Sequence, residues 1–103
     1  MEGLTNGRVV HYVLSEDDAK LINERRKAAN QTPVNERIPG IQYYVGNNVE
    51  PGKHCPMVIT EVWNVDGLVN GKVLLDGQDD YWVTSKYYSD EKKPYTWHWI
   101  EKA

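Results

Sequence analysis

The sequence predicts an α+β domain, with one N-terminal helix packed on a curved antiparallel β-sheet, a meander of five to six strands. Three observations carry that expectation. One complete helix-start signal lies at "LSEDDA", Leu14–Ala19. Pro33 and Pro39 exclude regular structure from the stretch that follows. Beyond Gly40 the chain changes to short runs of Val, Ile, Tyr and Trp, punctuated by Asp-Gly turns at Asp66 and Asp76. At 103 residues it reads as one domain, 1–103. The helix is placed at about 16–29, a linker at about 30–40 and the meander at about 41–100.

The elements follow in order. "RVVHYVL", Arg8–Leu14, is β-branched and aromatic enough for a strand. Ser15 stands at the N-cap with Asp18 three residues on, and Leu14 and Ala19 are in staple positions. Glu16, Asp17 and Asp18 suit the positive end of the helix dipole, and Arg25, Arg26 and Lys27 suit the other end. The apolar stripe of Ala19, Ile22 and Ala29 is narrow, so the helix is expected on a sheet edge or a partner. "IQYYV", "MVITEVWN", "LVNGKVLLD", "DYWVTSKYY" and "YTWHWI" read as the strands of the meander. Alternation puts Tyr81, Val83 and Ser85 on one face and Trp82 and Thr84 on the other.

Composition excludes several functions. With 12 basic and 15 acidic residues the net charge is −3, which argues against coating double-stranded DNA. The single cysteine, Cys55, provides neither a disulfide framework nor a four-thiolate metal site. His54 beside it points to the opposite side of an extended chain, so a Cys–His catalytic pair is not expected. No basic-then-apolar leader and no run of ~18 apolar residues is present, so a cytosolic protein is expected. Seven Tyr and four Trp with no Phe favour surfaces that are apolar in body and polar at the tip.

Four chemistries compete for the hairpin Val69–Ser85. A metal could use Asp76, Asp79 and Asp80, but an Asp-Gly turn explains those residues and the calcium-loop pattern is missing. His98 with an Asp could serve acid–base catalysis, although a His between two Trp is more often structural. An aromatic platform for single-stranded nucleic acid fits the Trp and Tyr residues but not the charge. A nucleotide-like ligand needs one stacking aromatic, one Asn or Asp and one or two cations, all of which are present.

The order "GRVVHYVLSEDDAKLINERR", "GNNVEPGKHCPMVITEVW", "VNGKVLLDGQDDYWVTS" and "TWHW" resembles a family of short phage proteins, the first class of Thoeris anti-defence proteins. The resemblance runs from Arg8 to Trp99. It implies a non-enzymatic sponge, without catalytic residues, metal or cofactor, that holds a cyclic ADP-ribose isomer made by a bacterial TIR-domain sensor. It also implies a homo-oligomer, dimer or hexamer, in the cytoplasm of the infected host, with cyclic oligonucleotides bound by some members at a second site. Family pockets use a stacking aromatic and an Asn on neighbouring strands, which correspond here to Trp63 and Asn70. Asp76 would take ribose hydroxyls, Thr84 and Ser85 phosphate oxygens, and Arg25 and Arg26 charge-assisted phosphate contacts. Each has a plainer role to set beside this: Trp63 as core, Asn70 closing a turn with Gly71, and the Arg pair as a solvated helix face. The chain carries Trp where family members can carry Phe, which preserves stacking and puts pocket size in question. Tight sequestration would further require an enclosed pocket, completed by a second chain. The alternative is a phage accessory protein that recognises protein or single-stranded nucleic acid through an aromatic β-surface.

Overall fold

Strand β1 (Val9–Val13) opens the fold in the computed structural model, which describes residues 1–101. Its period-two pattern turns Val10 and Tyr12 into the core and Val9 and His11 to the other face. Ser15 then caps α1 (Glu16–Gln31). Its Oγ accepts from the Asp18 amide at 3.0 Å, and Asp18 Oδ2 accepts from the Ser15 amide at 3.0 Å. This reciprocal box satisfies two of the free donors at the helix start. Leu14 and Ala19, expected to staple that end, are both buried.

The helix runs to Gln31, so Arg25, Arg26 and Lys27 lie before its last turn, which holds no basic side chain. Arg37 serves that end instead, donating to the carbonyls of Ala29 at 3.1 Å and Thr32 at 3.3 Å. The narrow stripe is widened by two charged residues. Asp18 and Arg26 are buried along with Ala19, Ile22 and Ala29. Asp18 accepts from Tyr12 Oη at 2.6 Å and Tyr81 Oη at 3.0 Å, so a buried carboxylate finds donors from two strands.

A short 3-10 turn (Val34–Glu36) follows the helix. The strand expected at "IQYYV" does not form. Residues 41–45 have no ladder, and the isolated bridge Gly46↔Gly77 follows this segment. Side chains hold it instead: Tyr43 lies under Arg37 at 5.2 Å, and Tyr44 under Arg25 at 4.8 Å.

The sheet contains β2 (His54–Val62), β3 (Val69–Leu74), β4 (Asp80–Lys86) and β5 (Trp97–His98), in the order β4-β3-β2-β1-β5. Every neighbour in it is antiparallel. Only β2, β3 and β4 form a meander. β1 pairs with β2 across the helical connection, and β5 leaves the meander to cover the other edge of β1. Trp97 explains that choice, because its fully buried indole donates to the Gly67 carbonyl at 2.8 Å and packs on Tyr88 and Trp99. One core cluster joins Val10, Tyr12, Met57, Ile59, Val73 and Trp97 with Ala19 and Ile22 of the helix.

Candidate functional site

Asn70 sits between two irregularities of the sheet. On one side β2 carries an extra residue, because Ile59 faces Gly71 while Glu61 faces Asn70. On the other side the register passes from Val69↔Lys86 to Gly71↔Val83, so Thr84 and Ser85 both stand against the single Asn70. Ser85 adopts φ +53°, a left-handed conformation that costs a residue with a Cβ.

The Asn70 side chain, 8% exposed, replaces the missing ladder partner. Its Oδ1 accepts from the Ser85 amide at 2.7 Å and from Trp63 Nε1 at 3.0 Å. Its Nδ2 group donates to nothing among the described residues. Trp63 is not core: its indole is 45% exposed and is held by its polar tip. A buried amide, a left-handed serine and an exposed tryptophan are each unfavourable alone. Together they fix one flat aromatic face at the surface, beside the exposed Thr84 and Ser85.

The other expected ligand residues lie at the opposite end of the β3–β4 hairpin. Asp76 is six residues beyond Asn70, about 20 Å if extended, and its Oδ2 accepts from Asn47 Nδ2 at 2.5 Å. Arg25 and Arg26 both donate to Asp79, with Arg26 Nη2 at 2.7 Å from Oδ1. Arg26 is fully buried, donates to the Asn47 carbonyl as well, and is enclosed by Gly46 and Gly77. A Cβ on Gly46 would lie 2.6 Å from the Arg26 Cζ, so the close approach requires glycine. The Arg pair is therefore neither a solvated face nor a free phosphate clamp. Arg26 is an internal lock, and Arg25 stacks between Tyr44 and Tyr81 at 4.8 and 5.8 Å. Burial alone would raise the Asp79 carboxyl, but the Arg26 hydrogen bond and both guanidinium charges outweigh it and hold the group below its ordinary value.

Open cavities follow this second end. One of about 350 Å³ is lined by Arg25, Tyr43, Tyr44 and Asp79 among others, and one of about 390 Å³ includes Asn47, Asp76 and Gly77. Trp63 and Asn70 line neither. The expected residues thus form two groups: Trp63, Asn70, Thr84 and Ser85 at one end, and Asp76, Arg25 and Arg26 at the other.

Sequence reasoning missed a third constellation. His11 on β1, His54 at the start of β2 and His98 on β5 project from the face opposite the core, and Glu101 folds back onto them. Register explains it. His11 is directly opposite His98, and His54 is two residues from Pro56, which is opposite His11. Glu101 Oε1 lies 2.5 Å from His54 Nδ1, 2.6 Å from His98 Nε2 and 3.8 Å from His11 Nδ1. Burial, aided by the neighbouring imidazoles His54 and His11, lowers the His98 pKa despite Glu101. Hydrogen bonds from His54 and His98 bring the Glu101 carboxyl down to about 2. The available signal was one His in each of three extended segments and a Glu three residues beyond the last. Cys55 lies on the core face, 2% exposed, and burial pushes its thiol up, which suits an inert side chain.

No family model, no curated protein and no solved structure matches this chain. Function therefore rests on the geometry and on the resemblance noted in the sequence. Among the described residues no helix is long and apolar enough to cross a membrane.

Proposed function

We propose that the protein acts by binding rather than catalysis, as a phage anti-defence sponge that sequesters a cyclic ADP-ribose-type signal in the cytoplasm of the infected host. One observation carries this reading: the exposed Trp63 indole is pre-set by the buried Asn70, whose Nδ2 group is left to meet an acceptor on a ligand. An aromatic plate with an amide beside it suits a flat heterocycle with a hydrogen-bonding edge, such as adenine. Thr84 and Ser85, brought alongside Asn70 by the bulge, would donate to the ribose or phosphates. The Arg residues and Asp76 lie too far away to join this site within one chain.

One stack supplies ~1–3 kcal/mol, whereas sub-nanomolar sequestration requires more than about 12 kcal/mol. Trp63 stands on an open surface, so in this reading a second copy encloses the ligand and the working form is a homo-oligomer, dimer or hexamer. A second reading, recognition of protein or single-stranded nucleic acid, is favoured by Trp82, 58% exposed opposite Lys72 on the outer hairpin.

Titration calorimetry with cyclic ADP-ribose isomers, followed by heating and analysis of the released nucleotide, tests the sponge. The expected outcome is tight binding, intact ligand on release, and at least ~10-fold weaker binding by Trp63→Ala and Asn70→Ala. Chemically altered nucleotide would make the protein an enzyme. Binding of oligonucleotides without binding of the cyclic nucleotides would move the function to the Trp82 surface.

A further inference from the structure

All three histidines of the chain, carried by three different strands, meet Glu101 at one point, with four donor atoms within 4.8 Å of one another. We propose that His11, His54, His98 and Glu101 form a tetrahedral site for a divalent transition metal of the zinc class, pinning β5 and the segment after it onto β1 and β2.

The hydrogen bonds of the cluster do not satisfy it. Glu101 Oε1 serves His54 and His98, but His11 Nδ1 is buried without a partner and 3.8 Å from that oxygen. A buried imidazole nitrogen left in this way is costly. A metal at the centre of the four, with bonds of about 2.0–2.2 Å, serves every donor once the carboxylate draws back. Donor atoms in such a tetrahedron stand roughly 3.3–3.5 Å apart, so shifts of about an ångström close the site.

The chemistry of the set selects the ion. Three imidazoles and one carboxylate suit Zn²⁺ and its Co²⁺ substitute; magnesium and calcium prefer oxygen throughout. Cys55 adds no thiolate, because it lies in the core on the other side of the sheet. The described residues supply no acceptor for His98 Nδ1, so the four donors carry the site without help from that side.

Four protein donors fill a tetrahedron, so the ion is a structural clamp with no position for substrate. The clamp falls on the shortest strand of the sheet. β5 has two residues, too few for a strand to hold an edge by its own ladder. It carries His98, and Glu101 follows three residues later. His54 and Glu101 lie on the solvent side, with side chains 33% and 39% exposed, which gives an ion its way in.

The test uses the full chain without a histidine tag, treated with chelator and then titrated with Zn²⁺ by calorimetry and Co²⁺ by absorption. Expected are 1:1 stoichiometry, sub-micromolar affinity and the intense visible bands of tetrahedral Co²⁺. His54→Ala and Glu101→Gln, both partly exposed, should bind at least ~10-fold more weakly and lose those bands. Should the chelated protein lose its fold, recovery of its far-UV spectrum with Zn²⁺ but not Mg²⁺ supports the clamp. Failure of the folded, metal-free chain to bind one equivalent, equal binding by both variants, or equal rescue by Mg²⁺ would overturn it.

Discussion

Arg26 shows what a single side chain does in this fold. It joins α1 to the β3–β4 turn through Asp79 and to the preceding loop through the Asn47 carbonyl, and two glycines make room for it. Removing Arg26 leaves Asp79 with Arg25 as its one remaining guanidinium partner, takes the Arg26 donor from the Asn47 carbonyl and opens a void beside Gly46 and Gly77. Arg26→Ala should therefore cost about 2–4 kcal/mol in urea denaturation at neutral pH. The pair also fixes a pH dependence. The folded-state pKa of Asp79 is below its unfolded value of about 3.9, so the stabilisation is complete above that value and is lost as pH falls through the folded value. The gap in stability between the natural chain and Asp79→Asn, measured at pH 7 and again near pH 3, should narrow on acidification. A constant gap would mean that the carboxylate charge contributes nothing. None of this was legible in the sequence, where Arg26 and Asp79 are 53 positions apart and a basic pair on a helix reads as solvated.

The elements differ in how much of their structure is locally determined. The start of α1 is set by the reciprocal box of Ser15 and Asp18, three positions apart, so the sequence shows it directly. Ser15→Ala should lower stability by about 1 kcal/mol, and Ser15→Asp should retain most of it. The helix end was less legible, because its cap comes from Arg37, well inside the linker. "IQYYV" has the composition of a strand but joins no ladder, and cation–π contacts hold it in place. The bulge on β4 depends on three strands at once. Alternation assigned Ser85 to the face of Tyr81 and Val83, whereas the extra residue opposite Asn70 re-aims the chain there. Ser85→Gly relieves the positive φ and should be neutral to stabilising by about 1 kcal/mol. If the bulge also positions donors for the ligand, the same variant should bind more weakly; unchanged affinity would detach Ser85 from the site.

At the scale of the whole molecule, the predicted class of one helix on an antiparallel sheet stands, while the strand order differs from a simple meander. That difference hid the histidines, since His11, His54 and His98 share a point only when β1 lies between β2 and β5. The candidate ligand site was half legible: Trp63 and Asn70 do meet, and the Arg residues and Asp76 belong elsewhere. For the proposed sequestration, the separation of these groups in one chain would make assembly the decisive property. Analytical ultracentrifugation should find a dimer or larger species, tightened by the cyclic nucleotide; a monomer at all concentrations would sink the enclosed-site reading. The pairing of β5 with β1 has a further consequence, in the order of synthesis. His11 and His98 are 87 positions apart, so one edge of β1 stays bare on the ribosome until nearly all the described chain has emerged. Until then the nascent chain offers an open strand edge to its neighbours.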